Sequence, residues 1–211
     1  MYQANVYNIM IGCPSDITKE EVQTVFEVIH EWNADNSIRQ GIVLLPMHWS
    51  LNSYPLMGNE PQKIINKQIT DISDVIICLF ASKVGTKTST HESGTIEELY
   101  SHIERNKPTM VLFKKQITPT SADDITRLLK FKDFLKQKGL YAEYNDISDL
   151  HNSLQHYITK LVNDKLYNVG IAEQISVSLN EEEIGLLKQW IGSNELKTWY
   201  IDYIGGLEFK L

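Results

Sequence analysis

The sequence predicts an α/β protein: a flavodoxin-like, five-stranded parallel sheet with helices on both faces, plus a small C-terminal appendage. Three observations predict it. Apolar runs and amphipathic stretches alternate five times over residues 5–165. The runs at 75–80 and 108–113 are almost continuously apolar, as strands buried on both faces are. Each pair of runs is separated by a helical stretch, the connection that parallel strands require.

The elements come in order along the chain. Val6-Tyr7-Asn8-Ile9-Met10-Ile11 is the first strand. A turn, Gly12-Cys13-Pro14-Ser15-Asp16, leads to a helix with Val22, Val25, Phe26 and Ile29 on its buried face. Thr18 and Glu21 have capping-box spacing at its start. Ile42–Met47 is the second strand, followed by a polar loop through Trp49, Tyr54 and Gly58. Pro61 suits the first position of a helix whose buried stripe is Ile65, Ile69 and Ile72. Val75–Phe80 is the third strand. A loop over 82–94 then opens the helix that carries Glu97 and Glu98. Pro108–Phe113 is the fourth strand. A helix over 122–138, with Ile125, Leu128, Leu129 and Phe134 inward, is stopped by Gly139. Tyr141–Tyr144 is a short fifth strand, and 149–164 the closing helix.

Among the topologies that right-handed crossovers permit, the strand order 2-1-3-4-5 is expected. Its switch point lies between strands one and three. The loops at 12–16 and 81–98 then face each other across one crevice, where open α/β sheets bind ligands. The domain is expected over 1–165. Residues 166–211 break the alternation. They read as a small helical or winged-helix-like element, or the start of a longer domain, with Gly205-Gly206 marking a hairpin or a helix stop.

Bulk properties narrow the function. The net charge of −7 does not suggest general nucleic-acid binding. The charge is uneven. Residues 1–50 carry two basic and six acidic side chains, a net −4; residues 101–140 carry nine basic and four acidic, a net +5. Such asymmetry suits an acidic partner or a second copy of the chain, or simply a solvated helix face. Two cysteines, Cys13 and Cys78, make neither a disulfide framework nor a metal-ligand spacing, so no metal site and a reducing cytoplasm are expected. No apolar run is long enough to span a bilayer, and the N-terminus lacks the pattern of a signal peptide.

Several chemistries are excluded. No G-x-G-x-x-G follows the first strand, and there is no G-x-x-x-x-G-K-[ST] loop or G-x-S-x-G elbow. The third strand ends in Phe80-Ala81-Ser82-Lys83, with no acceptor Asp for a receiver domain.

Ile9-Met10-Ile11-Gly12-Cys13-Pro14-Ser15-Asp16, the Ile-Ser-Asp-Val run ending at Val75, and Ser93-Gly94-Thr95-Ile96-Glu97-Glu98 resemble the superfamily of Toll-interleukin receptor (TIR)-like and nucleoside deoxyribosyltransferase-like domains. The resemblance spans roughly 5–160 and is nearest to a bacterial TIR-like branch of unassigned function. It implies that Glu98, four residues after Gly94, is the catalytic carboxylate. It also implies cleavage of an N-glycosidic bond in NAD+ or in a nucleoside or nucleotide, often in antiphage defence. NAD+ would be a substrate; no cofactor is implied. Gly12, Cys13, Pro14, Ser15, Asp16, Trp49, Ser93, Gly94 and Thr95 would line the substrate, with Trp49 and Tyr54 stacking on a base. The chain departs from the branch at Ser50, where an acidic residue is common, and over 83–90, which lacks the usual Arg and Pro.

Plainer roles stand beside these. Thr95 and Glu98 also have capping-box spacing. Ser15 and Asp16 suit helix caps. Cys13 suits packing, because no His neighbours it in sequence. Trp49 suits the covering of a sheet edge. Gln62 and Asn66 fall on the polar face of their helix and read as solvated. The non-catalytic alternative is a TIR-like module that self-associates or senses a nucleotide.

Overall fold

Residues 3–88, 92–117 and 121–166 are described by a computed structural model of the chain. The strands β1 (Asn5–Gly12), β2 (Ile42–Met47), β3 (Val75–Phe80), β4 (Thr109–Lys114) and β5 (Ala142–Tyr144) form one sheet. Its order is β2-β1-β3-β4-β5 and every pairing is parallel. The flavodoxin-like α/β expectation is therefore met, with the switch point between β1 and β3. There Gly12 is in register with Cys78, so the end of β1 and the end of β3 open on the same side.

The helices are α1 (Lys19–Gln40), α2 (Trp49–Asn52), α3 (Pro61–Ile65), α4 (Gly94–Glu104), α5 (Ala122–Lys136) and α6 (Ile147–Leu161). Thr18 caps α1 in a complete capping box with Glu21, as the spacing predicts. The helix stops at Gly41, whose φ of 65° puts it in the left-handed region that glycine tolerates. Pro61 occupies the first turn of α3.

Strand period places alternate residues on opposite faces. Met10, Ile76, Cys78, Phe80 and Phe113 pack with Ile96 and Leu99 of α4 and with Leu128, Phe131 and Leu135 of α5. Phe80, Phe113 and Phe131 stack or meet edge-on within this layer. On the other face α1 packs against α6 and β2.

Three buried stripes differ from expectation. On α1, Val28 and Trp32 join Val25 and Ile29 in the core, while Val22 and Phe26 are half-buried. On α5 the stripe is Leu128-Phe131-Leu135, and Leu129 is exposed. The helix also ends sooner, with its cap at Gln137. After α3 the chain continues as a π turn, Asn66–Thr70. Its wider turn rotates the next residues relative to a regular helix, so Ile69 is buried and Ile72 is exposed.

The chain divides into two compact units, Met1–Leu161 and Val162–Leu211. Of the second, only the π turn Val162–Leu166 is described. The expected C-terminal element, including Gly205-Gly206, otherwise lies outside the described residues. Among the described residues no helix is long and apolar enough to cross a membrane. No group of three or more His, Cys, Asp or Glu side chains among them is arranged to hold a metal ion.

Candidate functional site

The two loops of the switch point meet. Asp16, at the end of the β1 turn, accepts from the Ser82 N–H (2.8 Å), the Ser82 hydroxyl (2.8 Å) and the Lys83 N–H (3.0 Å), all through Oδ2. It staples the loop after β1 to the loop after β3. The cap of α1 is Thr18, not Ser15 or Asp16. Pro14 is buried and its carbonyl accepts from the Ile17 N–H, while Ser15 is exposed.

Glu98 lies beside this junction. Ser93 caps α4, its hydroxyl accepting from the Ile96 N–H at 3.1 Å, so the cap falls two residues before Thr95. The capping-box role for Thr95 and Glu98 is thereby excluded: Glu98 sits in the second turn, inside the cap. Its side chain is 7% exposed. Oε1 accepts a hydrogen bond from Gln62 Nε2 at 3.0 Å. No hydrogen bond to Oε2 is found among the described residues. That oxygen faces Gly12, where a Cβ would stand 3.3 Å from it and 3.3 Å from Cys78 Sγ. A side chain at position 12 would crowd the carboxylate.

Burial, opposed by the Gln62 bond and reinforced by the nearby Glu97 charge, pushes the Glu98 carboxyl up to about 7. Near neutral pH the group is therefore poised between its two protonation states, as groups at reaction centres often are.

The amides at 62 and 66 are not solvated, contrary to their reading from sequence. Gln62 Nε2 donates to Asn66 Oδ1 (2.9 Å) as well as to Glu98. Asn66 Nδ2 donates to Glu97 Oε1 at 2.8 Å, and the Thr88 hydroxyl donates to Glu97 Oε2 at 2.9 Å. Gln62 and Asn66 are spaced i, i+4, which puts both on the face turned to the start of α4. A polar pair at helical spacing beside an apolar stripe is the signal that marks them. Its meaning needs the partner helix.

Cys13 has a histidine neighbour after all, brought by the fold. His48, at the end of β2, places Nε2 3.6 Å from Cys13 Sγ. His48 Nδ1 accepts from the Ser50 N–H (3.4 Å) and lies 2.8 Å from the Ser50 hydroxyl. This network assigns the ring proton to Nε2, which then donates to the sulfur. A donor cannot serve as a base for the thiol. Burial and the charges of Glu98, Asp16 and Glu21 push the thiol up to about 12, so Cys13 is no thiolate at neutral pH. Burial likewise lowers His48.

Trp49 is half-exposed beside His48, their ring centroids 5.7 Å apart. Tyr54 lies elsewhere, in a cleft of about 410 Å³ that also holds Met57, Lys63 and Lys67. None of the residues around Glu98 lines that cleft. The structure thus gathers Gly12, Cys13, Asp16, Gly94 and Glu98 into one neighbourhood, adds Gln62, Asn66, His48 and Ser82, and leaves Tyr54 outside.

A doubly covered parallel sheet with a buried carboxyl at its switch point defines the class: a flavodoxin-like α/β domain with one candidate reaction centre. Residues 19–159 match the family described as a domain of unknown function, DUF4062, and the chain belongs to that family. No curated protein matches it. Solved structures similar to part of the chain include homoserine dehydrogenase from S. aureus at pH 7.0, with 13% identity over 67% of this chain and 33% of that one, TM-score 0.35. The flavodiiron protein from Giardia intestinalis is similar at 11% identity over 73% of this chain and 34% of that one, TM-score 0.33. The chain spans about a third of the length of these structures.

Proposed function

We propose that this chain is a TIR-like enzyme that cleaves an N-glycosidic bond in NAD+ or a related nucleotide or nucleoside. The observation that carries the reading is the state of Glu98. One carboxyl oxygen is held by Gln62, the other has no partner among the described residues, and the group titrates near 7 at the switch point.

Loss of nicotinamide or another base leaves an oxocarbenium-like centre at the anomeric carbon. A carboxylate with one free oxygen can face that cation, capture it, or accept from a ribose hydroxyl. The buried site strengthens each of these interactions. NAD+ is here a substrate, and the chemistry calls on no metal or redox cofactor. Glycine at position 12 keeps a side chain from crowding Oε2, and Trp49, beside His48, supplies a half-exposed ring. A cytoplasmic role in bacterial defence, by depleting NAD+ or producing a nucleotide signal, is the setting that the resemblance implies. The charge asymmetry along the chain supports self-association as its means of activation.

The test is incubation of the full chain with NAD+ and with a panel of nucleosides and nucleotides, dilute and under crowded, high-concentration conditions, with products separated by chromatography. Release of nicotinamide or a free base is expected, and Glu98→Gln should abolish it. No release from any of them removes the reading. An active wild type that Glu98→Gln leaves unchanged removes the assigned role.

A further inference from the structure

We propose that Gln62 is a positioning residue for Glu98, seated in a slot that glycine at position 94 leaves open and turning the free carboxyl oxygen towards Gly12. The inference rests on the reading of Glu98 as the reacting carboxylate and adds a residue to it.

The geometry has three parts. Gln62 Nε2 has two acceptors, Glu98 Oε1 at 3.0 Å and Asn66 Oδ1 at 2.9 Å. Both are oxygens, so the amide orientation is fixed by its network. The other end of the same amide lies over the start of α4. A Cβ at Gly94 would stand 2.9 Å from Gln62 Cδ and collide with Gln62 Oε1. Gly94 has an ordinary negative φ, so backbone conformation does not demand glycine there; a Cβ would instead force the end of the Gln62 side chain to move. Finally, Asn66 is itself held, donating to Glu97 and accepting from the Thr70 hydroxyl at 3.3 Å. The amide pair therefore registers α3 against the first two turns of α4.

The physical consequence concerns one bond. A neutral N–H donates more strongly to a carboxylate than to a carboxylic acid, so Gln62 favours the ionised form that burial disfavours. Without it Oε1 loses its donor, Glu98 holds its proton to higher pH, and the carboxyl is free to rotate.

The experiment reads that titration directly and does not depend on turnover. The full chain is labelled with 13C at glutamate carboxyl carbons, the Glu98 resonance is assigned by its loss in Glu98→Gln, and pH is varied. Gln62→Met keeps the length and removes the donor. It should raise the Glu98 midpoint by about one unit. Gly94→Ala keeps Gln62 but closes its slot, and should raise the midpoint by a similar amount. The double variant should match Gln62→Met alone, because the alanine acts only through the amide. Where turnover is measured, kcat should fall in all three with KM nearly unchanged. An unmoved midpoint in Gln62→Met overturns the proposal. So does an alanine effect that persists in full on the Gln62→Met background. If Gln62→Met does not fold, an unmoved midpoint in Gly94→Ala overturns it. A wild type inert towards every substrate, with the titration coupling intact, refutes the reaction and leaves the coupling standing.

Discussion

Glu21 and Glu98 are both buried glutamates near the start of a helix, and they flank the same switch point. They differ in partners. Glu21, 1% exposed, receives the Thr18 N–H and hydroxyl (both 2.8 Å), the Tyr144 hydroxyl (2.8 Å) and the Lys114 ammonium (3.0 Å). Burial works to raise it, yet these donors hold it below the ordinary carboxylate value. Glu98, almost as buried, has Gln62 as its one side-chain hydrogen-bond partner among the described residues and is pushed up to about 7. Burial is therefore not what sets the two carboxyls apart; the number of donors around each is. Glu21 ties α1 to β4 and β5, and its donors keep it ionised. Glu98 has one oxygen without a hydrogen bond among the described residues, and its charge is unfavourable there, which is the contrast the proposed role rests on.

The largest expected effect is on turnover. Glu98→Gln preserves size and should lower the rate of an active chain by about a hundredfold or more, since a carboxylate facing a developing cation is worth several kcal/mol. Glu21→Gln should leave the rate per folded molecule near that of the wild type. Equal losses in both variants, measured by nicotinamide or base release, would erase the distinction between them.

Stability should order them the other way. Glu21→Gln leaves the Lys114 charge and the Tyr144 hydroxyl without their anionic acceptor and should cost about 3 kcal/mol near neutral pH. Because the folded value of Glu21 is lowered, its contribution is present above the unfolded value and is lost as pH falls through the folded one. The deficit of Glu21→Gln should therefore shrink in acid. Denaturant midpoints at several pH values would show it, and a deficit that stays constant into acid would mean that packing, not charge, is lost.

For Glu98 the sign reverses. Its folded value is raised from 4.5 to about 7, so the folded chain binds more protons than the unfolded one between those values. The favourable contribution is present below the unfolded value and is lost as pH rises through the folded value. Glu98→Gln should match the wild type near pH 5 and be more stable by about 2 kcal/mol near pH 8. A variant less stable than the wild type at both would show that Glu98 is a strut like Glu21.

Much of this was legible in the residues. The strand at 75–80, the capping box of Thr18 and Glu21, and Pro61 at a helix start come from local rules, and the structure keeps all three. Strand order was legible because parallel crossovers leave few choices. Glu98 was singled out by the resemblance that the Ser93–Glu98 segment carries, since its spacing from Thr95 alone suits a helix cap. Its hydrogen-bond partner was not legible: Gln62 is 36 residues away and meets it only across α3 and α4. His48 and Cys13, 35 residues apart, meet for the same reason, at the ends of neighbouring strands. Ile72 and Leu129 were misplaced because a π turn and a rotated helix shift the stripe by a fraction of a turn, which a spacing rule does not register.

The smallest effect separates the two helix starts themselves. Thr18 and Ser93 both cap through a hydroxyl oxygen, Thr18 to the Glu21 N–H at 3.2 Å and Ser93 to the Ile96 N–H at 3.1 Å. Replacing either with alanine should cost about 1 kcal/mol. Thr18 also donates its hydroxyl to Glu21, whereas Ser93 makes no bond to Glu98. The Thr18→Ala deficit should therefore have a component that fades in acid as Glu21 gains its proton, because a weaker hold on the ionised form no longer matters there. The Ser93→Ala deficit should be flat with pH, and the Glu98 titration should stay at its wild-type midpoint. Denaturant curves across pH, paired with the carboxyl titration, measure both. If Ser93→Ala moves the Glu98 midpoint as far as Gln62→Met does, the cap and not the α3 amide sets the environment of Glu98. The contrast with Glu21 would then reduce to two helix starts of unequal strength.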